Sequence, residues 1–339
     1  MRRLPDSRGE LSRALLDALV RDPHTLAAPD ALTAPDAPIP ADPLSDEDLQ
    51  LSLYLCYELH YRGLPGVPDE WEWEPSLLAV RRQLEARFEA GLLDVLGAPE
   101  GEVAAEEMDV ALRAVEAADE APSLSRYLER DGTHDEMLEF IVHRSAYQLK
   151  EADPHSWALP RLTGAPKAAM VEIQADEYGG GDAERMHAAL FAKSMDGLGL
   201  DSRYGAYLDR IPGATLATVN LMSLLGLHRR WRGALVGHLA LFEISSSVPN
   251  RRYGNGLRRL GADAETTDFF DEHVTADAVH EAIAAVDLAG GLVRQDPALA
   301  ADVIWGARAL VELEGRFARR LLDAWAQGRS SLLERLVNA

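Results

Sequence analysis

Apolar residues recur at three- and four-residue spacing through most of the chain beyond residue 45, as expected of helices that each bury one face. The run 45–63 opens on a Ser N-cap with acids in its first turn and stops at a Gly. Runs 74–96 and 106–119 keep the same period, and 133–153 begins with Thr and early acids. Further helical patterns cover 164–181, 182–200, 214–247 and 266–291. The last run, 296–328, starts with Asp-Pro, a favoured N-cap and first-turn pair. Upstream, 11–21 predicts a short helix. Residues 22–44 are so rich in Pro, Ala and Asp that they predict an extended strap or linker. Strand-like alternation is scarce, and no segment repeats at a fixed period. The pattern predicts an all-α bundle of about seven to ten helices. Its organisation is an N-terminal extension (1–44) followed by a single helical domain (45–339).

Composition narrows the chemistry. The chain has 339 residues, 47% of them apolar, enough for a large buried core. A net charge of −22 argues against nucleic acid and anionic membrane as partners, since both require clustered positive charge. Cys56 is the only cysteine, which excludes an intrachain disulfide and a cysteine-based zinc or iron–sulfur site. No apolar run approaches the roughly 18–20 residues of a spanning helix. The first residues, MRRLPDSRGE, lack the apolar centre of a signal peptide, and the expected location is cytoplasmic.

Three stretches hold residues able to bind a metal. In DEHVTADAVHE (271–281), His273, Asp277 and His280 fall at i, i+4 and i+7, a narrow arc of one helix face. Phe269, Phe270, Val274 and Ala284 make that face apolar, while Glu272 and Glu281 suggest nearby solvent. Half of a metal site and a surface helix with incidental histidines both fit. In EIQADEYGGGDAERMH, Glu177 and His187 flank the triple glycine 179–181. Each Gly costs a helix about 1 kcal/mol relative to Ala, so a break or a close backbone approach is expected there. Glu184 and His187 also form Glu-x-x-His, the spacing of di-iron helical proteins, although Glu184 equally suits a helix start capped by Asp182. Glu151 ends an apolar helix beside Lys150, where a solvated pair is the plain alternative. Glu58 and His60 stand two apart and cannot share a metal, which leaves Glu58 as a reserve ligand. His143 reads as a packed or capping histidine. Glu243, within the apolar HLALFEISSS, needs a buried partner, with Arg252 and Lys150 as candidates.

Taken in order, Glu151, Glu177 and His187 followed by His273-x3-Asp277-x2-His280 resemble the haem-oxygenase-like di-iron oxidases and oxygenases, often labelled iron-containing redox enzymes. Their N-oxygenase members are nearest in spacing. The resemblance covers roughly residues 130–325. It implies a haem-oxygenase-like bundle of about seven core helices with extra N-terminal helices. It also implies a six-ligand di-iron site made of Glu151, Glu177, His187, His273, Asp277 and His280, within which Glu177, from the glycine-broken helix, is the expected bridge. Two iron ions, O2 as co-substrate and an external electron donor such as a reductase are implied with it. Glu243, Glu184 and Glu58 stand behind these as outer or reserve ligands. Tyr178, Arg252 and Tyr253 are candidates for holding a polar or carboxylate-bearing small molecule. The implied reaction is hydroxylation of an amine nitrogen in specialised metabolism. The alternatives are oxidative C–C cleavage or desaturation of an amino or fatty acid, or a metal-free or haem-handling use of the fold. A homodimer stays open.

Overall fold

Local signals set the helix boundaries. In the computed structural model, which describes residues 3–27 and 41–336 and only the backbone of 277–279, helix α1 spans Glu10–Leu19 and α2 Glu47–Glu58. Asp46 caps α2 by accepting the Leu49 N–H. Helix α3 (Pro75–Leu96) carries Pro at its first position and ends at Gly97, whose φ is 75°. After α4 (Met108–Ala117) and α5 (Leu124–Arg130), α6 (His134–Gln148) opens with a Thr133–Glu136 capping box. A one-turn helix, α7 (Asp153–Ser156), precedes α8 (Gly164–Glu177), α9 (His187–Gly197) and α10 (Gly213–Leu227). The long α11 (Arg232–Arg259) and α12 (Ala264–Ala282) follow, then α13 (Gly291–Gln295) and α14 (Ala300–Ala326). Among the described residues there are no strands, and no helix is long and apolar enough to cross a membrane.

Three departures from the sequence expectation have physical causes. The run 214–247 is not one helix. His228 is extended (φ −106°, ψ 112°), with its Nε2 3.0 Å from Glu85 Oε1, and a 3-10 turn resets the chain before α11. Helix α11 does not stop near Ser247 but carries Pro249 in its interior. The half-buried turn around Pro249 lines a large cavity, and the helix as a whole stays packed on α12 and α14. Finally, α12 passes into a π-helical segment, Ile283–Gly290, immediately beyond the His280 turn.

The closest helix pairing fixes the frame. A Cβ on Gly237 would lie 1.8 Å from Val303 O, and one on Gly306 would lie 1.9 Å from Ala234 O. Helices α11 and α14 therefore cross backbone to backbone, which only glycine at both positions permits. Two apolar clusters form around them. The larger joins Leu11, Leu15, Leu19 and Leu44 to α2, α3, α10 and α14. The smaller holds Phe140, Phe191, Phe269, Phe270 and Phe317. The extension is tied to the body at several points. Asp48 accepts the N–H groups of Leu11 and Ser12, Trp71 Nε1 donates to Arg21 O, and Arg316 pairs with Asp42. The middle of the expected strap, 28–40, lies outside the described residues.

Candidate metal centre

Five segments converge where the two apolar clusters meet. Glu151 follows the end of α6, Glu177 ends α8, His187 begins α9, Glu243 sits mid-way along α11, and His273 and His280 lie on α12. Each is at most 8% exposed. Ligand atoms of Glu151, Glu177, His187 and His273 lie within 4.8 Å of one another, and so do those of Glu177, Glu243 and His280. Glu177 belongs to both groups, the place a bridging carboxylate would take.

Strained backbone presents two of these side chains. Ala152, next to Glu151, sits at φ 74°, a conformation costing a non-glycine residue about 1–3 kcal/mol. Its carbonyl accepts from Gln174 Nε2 at 3.2 Å, which holds the turn in place. Between Glu177 and His187 the triple glycine forms a tight 3-10 loop, so the helix break expected there is present. Gly179 has φ 68°, and a Cβ there would lie 2.6 Å from Met186 N, one residue before His187. Gly179→Ala is expected to destabilise the fold by about 1–3 kcal/mol and to weaken metal binding by displacing His187. At Gly180 (φ 61°) a Cβ would point into open space, with no atom within 4 Å beyond its immediate chain neighbours. Gly180→Ala should therefore cost only about 1 kcal/mol and leave metal binding alone. Urea melts and metal titrations of the two variants check the contrast.

Hydrogen bonds orient the imidazoles. His273 Nδ1–H donates to Phe269 O at 2.8 Å, which turns Nε2 toward Glu151 Oε1, 3.5 Å away. His280 Nε2 lies 3.0 Å from Asp176 Oδ2, and its Nδ1 3.4 Å from Glu243 Oε2. A ligating histidine backed by a carboxylate or carbonyl on its other nitrogen has this arrangement. His187 Nδ1 approaches Glu177 Oε2 to 2.9 Å. Even so, His187 Nδ1, His280 Nδ1 and Glu151 Oε2 are buried without a well-directed hydrogen bond among the described residues. Buried polar atoms left so are costly, and lone pairs converging on a common point fit a cation. The donor set, carboxylate oxygen and imidazole nitrogen without thiolate, suits iron.

The charges are mutually dependent. Burial pushes the Glu177 carboxyl up, but His187, His273 and His280 hold it below its ordinary value. Burial pushes His280 down. The close approach and charge of Glu243, with the Asp176 hydrogen bond and the Glu177 charge, more than reverse this and raise it to about 9. Its folded value thus exceeds the ordinary 6.5. In the metal-free protein this stabilisation is complete below pH 6.5 and is lost as pH rises through about 9. A metal needs the neutral imidazole, so binding should strengthen over the same interval and release a proton. Thermal melts with and without ferrous ion from pH 6.5 to 9 should move in opposite directions. Parallel curves would contradict this.

Several residues singled out from sequence lie elsewhere. The Asp277 side chain is outside the described residues. Glu184 is exposed and pairs with Lys193, because the loop turns it outward. Glu58 is buried against Lys150 and Tyr204, away from both groups. Glu243 finds His280 as partner, whereas Arg252 turns to Ser123 and Ser125 and Lys150 to Glu58. The Tyr178 hydroxyl is engaged by Asp153 and Ser156. His143 is packed between Thr215 and Ser331. Asp176 and His155 carry no signal in sequence that separates them from surface residues.

Two cavities border the site. One of about 10 Å³, room for about one water, is lined by Glu151, His155, Glu177, Glu243 and His273. The other, about 530 Å³, is lined by buried His273 together with Arg252 and Tyr253. Exposed Glu116 and Asp119 mark its rim. Phe140, Phe191, Phe242, Phe269, Phe270 and Phe317 line its walls.

The family of iron-containing redox enzymes matches residues 138–315, just over half of the chain. Nitrosourea synthase of Streptomyces achromogenes subsp. streptozoticus is 25% identical over 229 residues, covering 64% of this chain and 48% of that protein. The chain thus spans about half the length of the curated relative it matches.

Proposed function

The chain belongs to the iron-containing redox enzyme family, and we propose that it is a non-haem di-iron, O2-activating oxygenase that hydroxylates a nitrogen of an amino acid or small amine. The observation that carries the di-iron reading is the sharing of Glu177 between two buried ligand groups. One ion would be held by Glu151, Glu177, His187 and His273, and the other by Glu177, Glu243 and His280. Asp277 joins on sequence spacing alone, one turn after His273. Glu151, Glu177, Glu243 and Asp277 together offset the charge of two ferrous ions, which lowers the cost of burying them. Iron bound there would supply O2 activation, with electrons from an external donor. The relative named nitrosourea synthase supports nitrogen as the target.

The protein's own groups do the rest. Phe269 O and Asp176 hold His273 and His280 in the tautomers that present a lone pair to the centre. The 530 Å³ cavity is of a size that encloses a small substrate. Arg252 and Tyr253 supply polar contacts there, and the phenylalanine walls exclude water near His273. Those walls favour a second reading, oxidative cleavage or desaturation of a fatty or amino acid with an apolar body. Anaerobic ferrous reconstitution tests the first level. About two irons per chain and a visible absorbance change on mixing with O2 are expected. A chain that retains no iron, or a His280→Ala variant equal to wild type, would remove both readings. Product analysis with candidate amines and acids then separates them.

A further inference from the structure

Of the buried histidines outside the ligand groups, two meet each other. His155 Nε2 and His238 Nδ1 lie 3.1 Å apart, the rings are 1% and 2% exposed, and their centroids are 5.1 Å apart. Each ring faces a different small cavity. His155 lines the 10 Å³ cavity that also holds Glu151, Glu177 and Glu243. His238 lines a second cavity of about 10 Å³ beside Arg144 and Glu314. Arg144 and Glu314 also line the 530 Å³ cavity, whose rim is exposed. The order is therefore surface-connected cavity, Glu314, water-sized cavity, His238, His155, water-sized cavity, carboxylates.

We propose that His238 and His155 form a proton relay that enters the centre from the side of Glu314, apart from the contact between His273 and the substrate cavity. This rests on the oxygenase reading, because reduction of O2 by an external donor consumes protons at the carboxylate-lined cavity. The transfer balances. A proton adds to His238 Nε2, the His238 Nδ1 proton crosses to His155 Nε2, and the His155 Nδ1 proton leaves into the metal-side cavity. Each ring carries one proton before and one after, and both exchange tautomers. Burial suits the pair to this task. It lowers His238 to about 3, and it holds His155 well below the ordinary value with help from His238, so both rings rest neutral. A resting imidazolium would block the chain, and an isolated buried histidine would have no neighbour to pass to.

The test uses His155→Gln and His238→Gln, since glutamine keeps a hydrogen bond but cannot relay a proton. Wild type and variants are loaded with ferrous ion and mixed with O2 in H2O and D2O. Iron content is expected to match wild type, while the O2-dependent absorbance change slows roughly tenfold or more with a larger solvent isotope effect. Free imidazole should restore part of the rate in His238→Ala. Nitrogen-15 histidine spectra of the metal-free wild type should show both rings neutral at pH 7, which does not depend on the variants folding. Equal O2 rates in wild type and variants, or an imidazolium at either ring, would overturn the relay alone. A wild type that binds no iron would overturn the oxygenase reading and the relay with it.

Discussion

Glu177→Gln is expected to abolish iron binding at both positions, whereas Glu151→Gln and Glu243→Gln should each leave about one iron per chain. The asymmetry follows from geometry. Glu151 lies only in the group with His187 and His273, Glu243 only in the group with His280, and Glu177 in both. Outer partners of a ligand typically cost 10–100-fold in affinity when lost, so a shared ligand should cost more than about 100-fold at each position. The metal-free fold should survive the change. Glutamine keeps the volume, and without the Glu177 charge His187 loses the interaction that raises it above its ordinary value. Iron counts after anaerobic loading, with circular dichroism as the control for folding, decide the matter. Wild-type iron content in all three variants would mean that these carboxylates do not hold the metal.

Lys150→Met is expected to destabilise the protein by about 3–5 kcal/mol, a larger effect on stability than either glycine substitution. Lys150 and Glu58 are 1% and 0% exposed, with Nζ 3.1 Å from Oε2. The ammonium also lies over the rings of Tyr61, Tyr54 and Tyr204 at 4.2, 5.2 and 5.8 Å. Tyr204 donates to the same Glu58 oxygen at 2.7 Å, while Glu58 Oε1 has no hydrogen-bond partner among the described residues. Removing the lysine would strand a carboxylate that already lacks part of its hydrogen bonding. The double change Glu58→Met with Lys150→Met removes both charges and should recover most of the loss. Urea unfolding of the metal-free proteins at pH 7 measures it. A single variant as stable as wild type would show that the pair is solvated in solution.

The histidine face of α12 was legible because helical spacing alone puts His273 and His280 on one arc, and Phe269 and Phe270 mark it as inward. The triple glycine was legible as a break, since positive φ at Gly179 to Gly181 is a local property of those residues. Glu243 was legible as an acid in need of a partner and as a reserve ligand. Sequence proposed Arg252 or Lys150, and packing of α11 on α12 gave it His280. The end of the 214–247 run erred in the other direction: the helix expected to finish at 247 continues through Pro249 to Arg259.

The sequence by itself determined what one helix can decide alone: an all-α fold, the inward faces, caps such as the Thr133–Glu136 box though not the Ser45 cap, whose place Asp46 takes, and the types of donor available for a metal. Periodicity and capping act within a few residues, so they survive without knowledge of the fold. Only the tertiary structure decided which helix ends meet. It separated Glu58 from the centre and turned Glu184 to solvent. It also brought Asp176 behind His280 and joined His155 to His238 across 83 residues of chain. Such meetings join residues far apart in sequence, through backbone approach where Gly237 and Gly306 let α11 cross α14 and through burial of side chains where α11 packs on α12.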